Sequence, residues 1–106
     1  MKKFNYVIYQ VTATNDFAFM RWSWCKGHNW SFDSYRSVWN GTEEARDDLD
    51  LLNYLFEMFN VNHPKGYRGH SMSVSDVIRI DEDNETRFYF CDSFGWADIT
   101  KEMIGE

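Results

Sequence analysis

The sequence predicts an α+β fold: a small, mostly antiparallel sheet packed by one main helix, in the order βαβαββ with a short terminal helix. Three observations predict it. In the front segment, Lys3 to Thr12, Phe4, Tyr6 and Ile8 alternate with Asn5, Val7 and Tyr9. From Thr42 to Asn60, apolar residues recur at helical spacing. Two strand-like runs, Val74 to Ile80 and Thr86 to Cys91, flank a polar tip. At 106 residues the chain suits one domain and is too short for two, so residues 1–106 are read as a single domain.

The elements follow in order. Lys3 to Thr12 is rich in aromatic and β-branched residues and reads as a strand covered on both faces. Asn15 or Asp16 can cap a short helix, because a side-chain oxygen there accepts an orphan backbone N–H. Phe17, Met20, Arg21 and Trp24 follow at helical spacing, and Gly27 ends the run. Asn29 to Asp33 reads as loop. Ser34 to Trp39 alternates as a second strand, with Asn40-Gly41 as the turn behind it.

Thr42 is the expected N-cap of the main helix, with Glu43 and Glu44 at the positive end of its dipole. Ala45, Leu49, Leu52, Phe56 and Phe59, with Leu55 alongside, form its apolar face, and Asn60 and Pro64 stop it. His63 to Ser73, with two glycines and one proline, is the longest loop. The last two strands make a hairpin whose tip is Glu82-Asp83-Asn84-Glu85. Gly95 marks a tight bend, and Ile99 to Ile104 forms the terminal helix.

Charge and composition exclude several functions. The net charge is −6, with −5 in Thr42 to Asn60 and −4 in Asp81 to Glu85, so the remainder is +3. Such a chain disfavours direct nucleic-acid binding, because phosphate attraction supplies most of that affinity. No apolar run is long enough to span a membrane, and the start turns polar too soon for a signal peptide, so the expected compartment is the cytoplasm. Cys25 and Cys91 have no C-x-x-C partner and read as reduced thiols. His28, His63, His70, Asp76 and Asp92 show no metal-ligand spacing, so no metal and no cofactor is expected.

Three candidate contact surfaces remain. The acidic face comprises Glu43, Glu44, Asp47, Asp48 and Asp50, joined by Asp81, Glu82, Asp83 and Glu85. It reads as a solvated surface or as an imitation of nucleic-acid phosphates. The basic and aromatic loop offers Lys65, Tyr67, Arg68 and His70 for an anion or an acidic surface. Its G-x-x-G, Gly66 to Gly69, is followed by a strand, which does not fit a KH clamp. Trp22, Trp24 and Trp30 form an aromatic cluster that reads as core filling or as an interface anchor. Twenty aromatic side chains, five Trp, six Tyr and nine Phe, exceed what a domain of this size easily encloses, so several are expected outside. In Gly69 to Asp76, His70 as base, Asp76 as orienting group and a serine hydroxyl would make an active site. Without a G-x-S-x-G elbow, the serines read first as turn chemistry, so no catalytic residue is assigned.

Four blocks together resemble one known family. They are Tyr6-x-Ile8-Tyr9-Gln10; Tyr35-x-x-Val38-Trp39-x-Gly41; Gly69-His70-Ser71-x-Ser73-Val74-Ser75-Asp76-Val77; and Asp92-Ser93-Phe94-Gly95-Trp96, with a Leu-rich helix closing in Phe59-Asn60. The pattern resembles the YodL-like domain family over nearly the whole chain, least well in Phe17 to Phe32. The resemblance implies a setting on phages and conjugative elements of gut and soil bacteria, often beside anti-restriction and other anti-defence genes, and it brings no catalytic activity. The expected function is therefore a small non-enzymatic interaction protein, an anti-CRISPR or anti-restriction inhibitor that binds a host-defence nuclease or its nucleic-acid complex. The alternative is a small enzyme or a nucleotide- or nucleic-acid-binding module using the His63 to Asp76 loop.

Overall fold

The structure is a computed structural model that describes residues 1–11, 18–28 and 30–104. In chain order the elements are β1 (Lys2–Val11), α1 (Trp22–Lys26), a 3-10 turn (Phe32–Ser34), β2 (Tyr35–Ala45), α2 (Asp48–Val61), β3 (Val77–Glu82), β4 (Glu85–Cys91), β5 (Trp96–Asp98) and α3 (Thr100–Ile104). Among the described residues the strands form one antiparallel sheet in the order β2-β1-β3-β4-β5. The α+β class, the main helix, the hairpin and the terminal helix are as the sequence predicts. The short fifth strand is additional. The expected caps Asn15 and Asp16, and Phe17, lie outside the described residues.

The alternation in β1 puts a core on each side of the sheet. Phe4, Tyr6 and Ile8 are buried with Ile78 and Ile80 of β3 against Leu51, Leu52, Leu55 and Phe59 of α2. On the opposite side Cys25, Val77, Phe90 and Ile99 are buried beneath Trp22, Trp30, Phe32 and Tyr35. Each fully buried Leu, Ile or Phe contributes about 1.5–3 kcal/mol, whereas an exposed ion pair contributes about 1 at most. Burial of the sheet therefore dominates, and the charged surface is left for other roles.

Two expectations fail at the junction of β2 and α2. Asn40-Gly41 is not a turn, because β2 runs through it to Ala45 and pairs with β1 along its length, Gly41 opposite Tyr6 and Glu43 opposite Phe4. Gly41 is small for another reason: a Cβ there would lie 2.8 Å from the Tyr6 hydroxyl. Thr42, Glu43 and Glu44 consequently belong to a strand. The helix is capped instead by Asp47, whose Oδ1 accepts the Asp50 N–H at 2.9 Å. The buried face keeps Leu52, Leu55 and Phe59 but differs from the predicted one at three positions. Leu49 is 58% exposed and Phe56 is 42% exposed, with Phe56 lying edge-on to Trp96, while Leu51 takes the expected place in the core.

Candidate functional site

The acidic residues converge at one end of the molecule. In register, Lys2 faces Ala45 and Asn5 faces Asp81, so the start of β1, the end of β2 and the β3–β4 hairpin share that end with the N-terminus of α2. Arg87 is the joint. Its Nη2 bonds Asp48 Oδ1 and Glu82 Oε1, each at 2.8 Å, and its Nη1 bonds Glu85 Oε2 at 2.9 Å. Burial pulls the Asp48 carboxyl up, but hydrogen bonds from Arg87 and Tyr89 and the Arg87 charge outweigh it, and its pKa is lowered. Donation of its N–H groups to Asp48 and Glu82, against desolvation, raises that of Arg87. A groove of about 540 Å³ opens here between α2 and the hairpin, with Asp47, Glu82, Glu85 and Lys2 among its walls.

Several of these carboxylates are spoken for. Asp81 bonds Arg79 and Thr86, Asp50 bonds Arg46, and Asp47 is the helix cap. Among the described residues, only Glu43, Glu44 and Asp83 of the nine have side chains without a hydrogen bond or ion pair. Glu43 and Glu44 stand on β2, at the sheet edge, and Asp83 stands at the hairpin tip with φ 52. The residues free to meet a partner are therefore strand and turn residues, not helix residues.

The loop sits at the opposite end and is pinned from beneath by Gln10, a buried polar side chain at the end of β1. Gln10 Oε1 accepts the His70 N–H at 3.1 Å, and Nε2 donates to His70 O at 2.9 Å, Asp76 Oδ2 at 3.0 Å and the Tyr67 hydroxyl at 3.1 Å. Gly69 is the residue that allows this approach, since a Cβ would fall 2.6 Å from Gln10 Oε1. Tyr67 is committed as well. Its ring packs on Phe59 and Trp39, and its hydroxyl donates to His70 O at 2.6 Å. Lys65 and Arg68 remain exposed, and Arg36 of β2 joins Arg68 beside Gly69 around a small groove. Arg36 was not legible as part of this surface, because only strand pairing brings it there.

Of the Ser71, Ser73 and Ser75 hydroxyls, only that of Ser73 bonds a neighbouring backbone group among the described residues. Ser73 Oγ donates to Ser71 O, Ser75 Oγ accepts the Phe19 N–H, and Ser73 N–H donates to Asp76 Oδ2 at 3.0 Å. His70 Nε2 lies 3.9 Å from Asp76 Oδ1, and its Nδ1 is hydrogen bonded to Ser71 O. Ser71 Oγ reaches His63 Nε2 at 3.4 Å and not the His70 ring. Asp76 is 1% exposed, and burial pushes its carboxyl up to about 7 against the hydrogen bonds from Ser73 and Gln10 and the His70 ring. The geometry is that of a buried brace with no serine aligned on the imidazole.

The aromatic cluster divides. Trp22 packs on Phe90 and Trp30, and Trp30 Nε1 donates to the Tyr35 hydroxyl, so both roof the second core. Trp24 stacks on the His28 ring at 3.9 Å. Two aromatic residues outside the predicted set are more exposed. Phe94 is 95% exposed on the bend before β5, where Gly95 has φ +76. Phe19 is 62% exposed with φ 65 and tilts against His70. For Phe94 the signal was present in sequence: an aromatic residue set between Ser93 and Gly95 in a bend has little to pack on.

Among the described residues no group of His, Cys, Asp and Glu is arranged to hold a metal ion. Cys25 and Cys91 are free, and burial pushes their thiols up to about 11 and about 12, away from reactive thiolate. No helix among the described residues is long and apolar enough to cross a membrane.

Fold and surface define a small sheet-and-helix domain with an acidic end and a braced loop at the other. The model of the YodL-like domain family matches residues 5–101, and the chain belongs to that family. No curated protein and no solved structure matches it.

Proposed function

We propose that this chain is a non-enzymatic interaction protein of a phage or conjugative element, acting in the cytoplasm of the bacterial host. It binds a host-defence nuclease complex and blocks it, as an anti-CRISPR or anti-restriction inhibitor. The observation that carries this reading is that the unpaired carboxylates Glu43, Glu44 and Asp83 stand at the same end of the sheet as the carboxylates that gather around Arg87. A dense negative end suits the basic channel of a nuclease, where it would compete with nucleic acid and be steered in electrostatically. The Ser73 and Ser75 hydroxyls are engaged with backbone, and Ser71 Oγ meets the His63 ring, not the His70 ring paired with Asp76, which argues against an enzyme at the His63 to Asp76 loop.

The test is binding of the full chain to a CRISPR nuclease and to a restriction complex at rising salt. Affinity should fall steeply between low and moderate salt, and should drop further in Glu43→Gln/Glu44→Gln/Asp83→Asn, which removes the unpaired charges while leaving Arg87's partners intact. His70→Ala should bind as the wild type does. Salt-independent binding would sink the charge mimicry, and loss of activity confined to His70→Ala would favour the loop as an active site.

A further inference from the structure

The two edges of the sheet are treated differently. At one edge β5 is three residues long, and the chain turns at once into α3, whose Thr100 Oγ1 accepts the Phe88 N–H. At the other edge lies β2, eleven residues long and, among the described residues, paired on one side only, with β1. A strand in that position presents a row of unpaired N–H and C=O groups, and natural sheets usually shorten or cover it. A bulge interrupts its first part, where Ile8 faces Trp39 and Tyr9 faces Ser37, leaving Val38 extra. From Trp39 to Ala45 the pairing is regular, so that stretch offers an uninterrupted template.

We propose that the free edge of β2, Trp39 to Ala45, takes an extended basic segment of a partner protein as a sixth strand. The inference rests on the reading of this chain as a protein-binding module and names the form of the contact. Backbone pairing supplies the attachment, and charge selects the occupant. Glu43 and Glu44 are adjacent on the strand, so their side chains point to opposite faces of the sheet. Neither has an ion pair among the described residues, although Lys3 stands opposite Glu44 in register. An incoming strand therefore meets one unpaired carboxylate on each face, and consecutive Lys or Arg residues satisfy both. A second copy fits worse. Antiparallel self-pairing centred on Thr42 sets Glu43 opposite Gly41 and Glu44 opposite Asn40 of the second copy, so neither carboxylate gains a cation and the two Glu43 side chains become diagonal neighbours on one face.

The probe is a synthetic peptide of alternating threonine and valine with a central Lys-Arg pair, titrated into the isotope-labelled full chain. Amide shifts and new exchange protection are expected at Trp39 to Ala45. Methylating alternate backbone nitrogens of the peptide keeps its charge but removes its ladder donors, and should weaken binding at least about tenfold. Glu43→Gln/Glu44→Gln should also weaken it and reduce its salt dependence. Equal affinity for the methylated peptide, protection elsewhere, no binding of the parent peptide, or a β2-paired dimer in sedimentation would each overturn the proposal. The peptide needs no nuclease, so the two readings fail separately: a bound peptide with no nuclease captured removes only the nuclease, and a captured nuclease with β2 amides still exchanging removes only strand addition.

Discussion

Gln10 shows how much a single side chain can organise. Its amide holds both backbone groups of His70, the Tyr67 hydroxyl and the Asp76 carboxyl, and so fastens the loop to the end of β1. Beneath it Asp76 carries a prediction in pH. Its carboxyl titrates near 7 when folded and near 3.9 in an unfolded chain, so between those values the native state keeps a proton that the unfolded chain has lost. Its contribution to stability is full below about pH 4 and is lost as pH rises through about 7. Asp76→Asn keeps an oxygen for Ser73 N–H and Gln10 Nε2, both of which bond Oδ2 in the native chain. Relative to wild type, the variant should gain about 1 kcal/mol or more between pH 4 and 7.5, read from urea midpoints. A difference that stays flat with pH would mean that the native carboxyl is ionised throughout.

At the scale of the element, the β2–α2 junction separates two accounts of the same residues. Thr42 reads as a helix cap by type, followed as it is by two glutamates, but it lies in β2 and its hydroxyl donates to Asn5 Oδ1 at 2.7 Å. Asp47 is the cap. Asp47→Ala should lower stability by about 1 kcal/mol, the usual cost of losing a side-chain cap, and Thr42→Ala should cost less than half of that. Paired urea titrations decide it, and the reverse order would restore the helix start at Thr42.

At the scale of the molecule, the two cores share one sheet, since Ile78 and Ile80 of β3 face α2 while Val77 faces α1 and α3. Trp39 and Trp96 report on the first core, and Trp22, Trp24 and Trp30 on the second. Neither core can open without exposing the strands that form the other, so unfolding should be a single transition. Tryptophan fluorescence in Trp39→Phe/Trp96→Phe, which reports only the second core, should coincide with far-UV circular dichroism across the urea range. Separate midpoints would show that the α1 side opens independently.

The sequence by itself determined the α+β class, the hairpin and the terminal helix, because local periodicity and turn signals encode them. It also carried the blocks that mark the family: Gly69 and Gln10, far apart in the chain, meet in one brace. Partner strands decide what periodicity cannot. Whether Gly41 ends a strand or lies within one depends on β1 having a long face to pair and on Tyr6 filling the space of a side chain. That pairing moved Glu43 and Glu44 from a helix to an open edge, and Arg87 drew the hairpin acids onto the helix start. Residue type thus fixed that one region would be acidic. Only long-range backbone pairing decided which of its charges are neutralised and which are left for a partner.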